Sequence, residues 1–255
     1  MNPRQELRLL ICAVQFLTRL PTPRLPAFEP DWIARSARYF PLAGQLVGLL
    51  CAAVWLAAGR FWPGLTAAVL AVASGVLITG GFHEDGLADT ADGLGGGQNR
   101  ERRLAIMKDS RIGAFGALAL GLVTMLKVTL LAGLTPWAGA LALVAAHGGA
   151  RAAAVVVMAA LPYSGDPEAA KVKPAPQGVR WSETIFALIL GGAPLLLLGP
   201  ARAMLGFVLA GISSASMAGL ARKLIGGVTG DVLGAVEQLA EVALLMGAAA
   251  VGFGA

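Results

Sequence analysis

The chain has 255 residues, of which 56% are hydrophobic and only 14% charged, whereas about a quarter of the residues in a water-soluble domain carry charge. Its mean hydropathy of +0.71 points to a membrane protein and excludes an ordinary soluble domain. The net charge of +5 is not a nucleic-acid signal, because the positive residues cluster at the ends of apolar runs rather than on one basic face.

The first element, RQELRLLICAVQFLTRL, mixes Arg4, Glu6, Arg8 and Arg19 into an apolar run and is followed by no small-residue cleavage site. It reads as an amphipathic helix on the membrane surface, not as a cleaved signal peptide. Pro21, Pro23 and Pro26 end it. A short helix restarts at DWIARSARYF, with Asp31 in the N-cap position and Trp32 and Tyr39 at interfacial depth. Cys12 is expected at the cytoplasmic surface and Cys51 inside a span, so no disulfide framework is expected.

Crossing a hydrocarbon core of about 30 Å takes roughly 20 mostly apolar residues. Runs of that kind lie near Tyr39–Gly59, Phe61–Phe82, Ile112–Leu134, Trp137–Tyr163, Glu183–Leu198, Arg202–Ala221 and Val232–Phe253. The fifth is the shortest, so six or seven transmembrane helices are expected in an all-α polytopic fold. Most of the glycine and alanine inside these runs serves close helix packing. Of the 20 Lys and Arg residues, the N-terminal region and the connections after the second, fourth and sixth spans hold all but four. The opposite side holds only Arg60 and Arg202, while Lys127 and Arg151 lie within spans. Positive loops stay cytoplasmic, so the N-terminus is expected inside the cell and the C-terminus outside. The reading is one integral-membrane catalytic domain over 1–255, with a cytoplasmic amphipathic region at 1–38 and a cytoplasmic active-site segment at 83–111.

That segment belongs to TGGFHEDGLADTADGLGGG, which carries Glu84, Asp85, Asp89 and Asp92 with no Lys or Arg. On a helix, Asp85, Asp89 and Asp92 follow i, i+4, i+7 spacing and share one face. Three adjacent carboxylates repel one another unless a cation sits among them. Their hard oxygens suit Mg²⁺, which is usually bound by a few carboxylates together with substrate phosphates. The bland alternative is a solvated loop with helix-capping aspartates. Gly86 and Gly93 would let a bulky ligand or another backbone approach, and Glu84 is expected to point elsewhere. His83 either orients a ligand or is an interfacial hydrogen-bonding residue.

Next comes NRERRLAIMKDSRIGAFGAL. Arg100, Arg102 and Arg103 read as surface charges that set topology. Lys108, Asp109 and Arg111 sit at the mouth of the third span, where cations can reach phosphate oxygens. Deeper in the spans, Lys127 either snorkels or pairs within the bundle. Arg151, one turn after His147, either binds phosphate or pairs with Glu237 or Glu241. These two glutamates, i and i+4 on an apolar helix, should face the bundle as ligands or as counter-charges. In GGVTGD, Asp231 is expected to cap the last span and to lie level with the acidic stripe.

HEDGLADTADGLGGG and RRLAIMKDSRIGAFGALAL, together with AVQFLTRLPTP, ARAAAVVVMAALPYS and GGVTGDVLGA, resemble the cobalamin synthase family over nearly the whole chain. Glu84 departs from that family's pattern. The resemblance implies a bacterial inner-membrane transferase that joins adenosylcobinamide-GDP to α-ribazole or its 5′-phosphate, with release of GMP and with Mg²⁺ required. It places the metal and diphosphate on Asp85, Asp89 and Asp92, and phosphate contacts on Lys108 and Arg111. Asp109, Arg151 and Asp231 follow. The proton acceptor stays open among these carboxylates, Asp109 and His83. Small-molecule substrates and membrane lipid are the expected partners, and self-association into a homo-oligomer is left open. A membrane prenyltransferase would want two separated Asp-rich segments. A CDP-alcohol phosphotransferase-like enzyme shares the site chemistry, and an ion-coupled transporter would explain the charges at depth but not the acidic stripe.

Overall fold

A computed structural model describes residues 3–25, 31–165 and 178–251; Pro26, Asp166, Lys171 and Lys173 fall outside them. The helices are α1 (Pro3–Leu17), α2 (Trp32–Ser36), α3 (Phe40–Ala58), α4 (Gly64–Thr79), α5 (Phe82–Gly96) and α6 (Arg100–Met107). They are followed by α7 (Ala114–Ala132), α8 (Pro136–Ala160), α9 (Trp181–Gly192), α10 (Pro200–Ile225) and α11 (Gly230–Ala249). Among the described residues β pairing is confined to one isolated bridge, Tyr163 with Val228.

Six helical stretches are long and apolar enough to cross a membrane, and a seventh if α4 and α5 count as one bent span. The molecule is therefore an all-α, multi-pass membrane protein. Burial separates posts from periphery: 78% of the most apolar window of α8 and 83% of that of α11 lie inside the protein, against 22% for α7 and α10. Helices α8 and α11 form the centre, while α7 and α10 turn side chains such as Leu118, Leu122 and Met204 outward. The fifth run is completed by a 3₁₀ segment, Ala193–Leu198, after α9.

Small residues set the closest approaches. Gly44 and Gly48 of α3 lie one turn apart against the α8 backbone, where a Cβ on Gly48 would come within 2.7 Å of the Leu143 carbonyl. Helix α1 buries Leu9, Cys12, Ala13 and Leu17. At 1% exposure, Cys12 serves helix packing, because α1 turns its apolar face onto α2 and α3. Both cysteines are free thiols. Asp31 occupies the N-cap of α2 without a side-chain cap bond and instead pairs with Arg35 at 3.6 Å.

The second span departs most from expectation. Helix α4 ends at Thr79 after 16 residues, about 24 Å at 1.5 Å per residue, and the chain turns through 90° into α5. The acidic stretch is therefore a helix packed against α11, α7 and α6, not a solvated loop. The arginines after it do more than set topology. Arg100 donates to the carbonyls of Ile225 and Ser164, at 3.0 and 2.9 Å, and so satisfies the C-terminal end of α10.

Candidate active site

Gly80 and Gly81 hold φ of 73° and 70°, a left-handed conformation that residues with a Cβ rarely adopt. This pair makes the turn that aims α5 into the bundle. The faces of α5 then do different things.

Its first turn points inward to a network of charges. Glu84 accepts from Gln238 Nε2 at 3.1 Å, a partner in the interior network. Gln238 Nε2 also donates to Glu237 at 3.0 Å, and its Oε1 accepts from Lys127 at 2.8 Å. Lys127 pairs with Glu241 at 2.8 Å, and Arg151 with Glu237 at 2.6 Å. His147 Nδ1 lies 3.2 Å from Glu241, and His83 Nδ1 lies 3.9 Å from Glu237. Every member except Glu84 is buried, which charged groups in an apolar bundle tolerate only when paired and hydrogen-bonded. The open choices at Lys127 and Arg151 thus resolve as ion pairs with the glutamates of α11.

Among the described residues, one group of three potential metal ligands brings its donor atoms within 4.8 Å of one another: His147, Glu237 and Glu241. Its carboxylates already face Lys127 and Arg151, so a further cation gains little there. Asp85, Asp89 and Asp92 do not form such a group.

Asp92 has a different task. Its two carboxylate oxygens accept the backbone amides of Gly113 at 2.7 Å and Gly116 at 2.8 Å, capping the N-terminus of α7 from a neighbouring helix. A Cβ on either glycine would collide with that carboxylate. The carboxylate is buried at 9% exposure, whereas Asp85 is exposed and Asp89 half-buried. The accessible part of the stripe is therefore its first two aspartates.

The flank of α5 meets α11. A methyl on Gly86 would lie 2.8 Å from the Asp231 carbonyl and 3.1 Å from Gly234 Cα, so these two backbones touch and Asp231 is level with the stripe. Asp231 is not the cap of α11: Thr229 accepts from Val232 N at 3.2 Å, because it stands one residue before the helix starts. Gly93 packs on α6, where its Cβ would meet Met107 and Arg103.

Between α6 and α7, Lys108 and Arg111 are exposed, and Asp92 holds this connection to α5 through Gly113. Arg111 grips Asp109 with two side-chain nitrogens, the shorter contact at 2.6 Å. Those hydrogen bonds, with a further one from the Arg111 amide, hold the Asp109 carboxyl down at about 2. Lys108 makes no ion pair among the described residues.

An open cleft of about 560 Å³ lies beside the bend, lined by Phe16, Thr18, Arg19, Thr79, Gly80, Gly81, Phe82, Glu84, Asp85 and Leu120. In the sequence Arg19 is one of several N-terminal positive charges, and Gln238 is not among the predicted site residues. The signal for Gln238 was its place next to Glu237, one turn before Glu241 on an apolar helix.

The cobalamin-5-phosphate synthase family profile matches residues 9–249. The chain is 46% identical to the adenosylcobinamide-GDP ribazoletransferase of Leptothrix cholodnii over 95% of both chains. It is 44% identical to that of Ralstonia pickettii over 96% of both. With the enzyme of that name from Shewanella frigidimarina, identity is 42% over 97% of this chain and 96% of the relative. No solved structure matches. By the length of the profile match and by these identities, this multi-pass protein belongs to the cobalamin-5-phosphate synthase family.

Proposed function

We propose that the chain is an adenosylcobinamide-GDP ribazoletransferase acting at the bacterial inner membrane, with its acidic helix at the cytoplasmic side. Near full-length identity to relatives of that name carries the reading. A hydroxyl of the ribose in α-ribazole, or in its 5′-phosphate, attacks the phosphorus attached to the cobinamide. The bond from that phosphorus to the bridging oxygen breaks, GMP leaves with that oxygen, and the hydroxyl proton passes to a base.

Asp85 and Asp89 are the residues that would hold Mg²⁺. They are hard oxygen donors one turn apart, the first exposed and lining the cleft, with Asp231 against the same helix. Two carboxylates leave room for waters and substrate phosphates, as Mg²⁺ requires. When bound, the ion supplies charge neutralisation on the diphosphate. Asp92 positions the α6–α7 connection, from which Lys108 reaches a phosphate oxygen as a point charge. Arg111 is already neutralised by Asp109 and contributes less. Asp109 is a poor proton acceptor, since a carboxylate held at about 2 has little affinity for a hydroxyl proton. His83 is buried in the interior beside Glu237, which leaves the base among the carboxylates of α5. Arg151, committed to Glu237 in the interior, acts as a structural counter-charge and not as a substrate contact.

The direct assay supplies detergent-purified protein with adenosylcobinamide-GDP, α-ribazole and Mg²⁺ and measures GMP. Release that needs both substrates and stops with EDTA is expected; no release under any condition contradicts the assignment.

A further inference from the structure

The open cleft beside the bend has a composition that the metal-carboxylate site does not explain. One wall is aromatic: Phe16 and Phe82 meet edge to face with ring centroids 5.6 Å apart, and Phe16 stacks on Phe40 at 5.5 Å. Asp85 lies in the same cleft. Opposite in charge is Arg19, exposed, where α1 runs out.

The backbone of Arg19 is held by main chain. Its amide donates to the Ile78 carbonyl at 2.7 Å, docking the end of α1 onto the last turn of α4. Its guanidinium lies over Gly80, where any Cβ would collide with it. Gly80 is needed for its positive φ, and the Arg19 side chain fills the space beside it. Among the described residues Arg19 makes no ion pair, although Glu84 and Asp85 line the same cleft. An exposed guanidinium with no carboxylate partner among the described residues suits a phosphate, and the aromatic wall suits a planar base. The cleft volume of about 560 Å³ lies within the roughly 300–1,000 Å³ range of small-molecule sites.

We propose that this cleft is the acceptor subsite, in which the base packs on Phe16 and Phe82, a ribose hydroxyl faces Asp85, and Arg19 binds the 5′-phosphate of a phosphorylated acceptor. This inference rests on the transferase reading. It makes Arg19 a specificity residue that distinguishes α-ribazole 5′-phosphate from α-ribazole.

The test compares the two acceptors in one assay, in phospholipid-free detergent so that no lipid headgroup supplies the phosphate. Arg19→Ala should raise KM for α-ribazole 5′-phosphate by about tenfold or more, the scale of a lost charge-assisted hydrogen bond, and leave KM for α-ribazole and for adenosylcobinamide-GDP unchanged. Arg19→Lys should recover part of the loss. Should Arg19→Ala impair folding, Arg19→Gln, which keeps the stem over Gly80, carries the test and should show the same selective rise in KM. Phe82→Leu should raise KM for both acceptors alike. Equal effects of Arg19→Ala on both acceptors, or no effect, would overturn the subsite while leaving the transferase intact. A rise confined to KM for adenosylcobinamide-GDP would assign Arg19 to the donor diphosphate and also overturn it. Wild-type protein that releases GMP with neither acceptor would remove the transferase reading itself.

Discussion

Asp92 shows how much a residue's role depends on what the chain folds next to it. Its spacing from Asp85 and Asp89 puts it on the metal-binding face, yet its oxygens take the first amides of α7, 21 and 24 residues further along. Removing an N-cap acceptor costs about 0.5–2 kcal/mol. Asp92→Ala should accordingly lower the thermal midpoint in detergent, and Asp92→Asn, which keeps one oxygen acceptor, should lower it less. The Mg²⁺ concentration for half-maximal activity should stay at the wild-type value in Asp92→Asn. A marked rise would return Asp92 to the metal. Sequence could show that the aspartates share a face, because i, i+4, i+7 spacing is local. Which one meets a neighbouring helix is a tertiary fact. The same limit applied at Lys127 and Arg151, where burial made partners necessary but only the fold chose Glu241 for one and Glu237 for the other.

At the scale of elements, the spans were legible because lipid leaves the backbone few options and makes an apolar run nearly sufficient evidence for a helix. The break between α4 and α5 was not legible as a turn. Two adjacent glycines permit a left-handed turn but do not demand one, and the 90° change of direction depends on α11 accepting α5 at Gly86 and Gly234. That contact is backbone to backbone, so α5 can move away only as a unit. Gly86→Val should push α5 off Asp231 and reduce GMP release by about tenfold or more, as misplacement near 1 Å does in pre-organised sites. Gly121→Val, where a Cβ meets nothing within 4 Å, should leave activity near wild type and serves as the control. Full activity in Gly86→Val would mean that the α5–α11 contact does not position the aspartates.

For the whole molecule, outward-facing leucines surround a bundle whose centre carries paired charges, and the acidic helix enters that bundle from one side. Positive charge on the α6–α7 connection supports the proposed placement of this side in the cytoplasm. In intact cells a membrane-impermeant maleimide should label Trp62→Cys, on the opposite connection, and should reach Ser110→Cys only after the membrane is opened; both positions are exposed. The reverse pattern would invert the topology and put the aspartates outside. The central claim, that Asp85 and Asp89 hold the divalent cation on which GMP release depends, is tested most directly by titrating Mg²⁺ into Asp85→Asn and Asp89→Asn with both substrates saturating. Each variant should lose about 10²–10³ in kcat, the scale on which a pre-organised electrostatic group acts, and should need more Mg²⁺ for whatever activity remains. Wild-type turnover and wild-type Mg²⁺ dependence in both would contradict it.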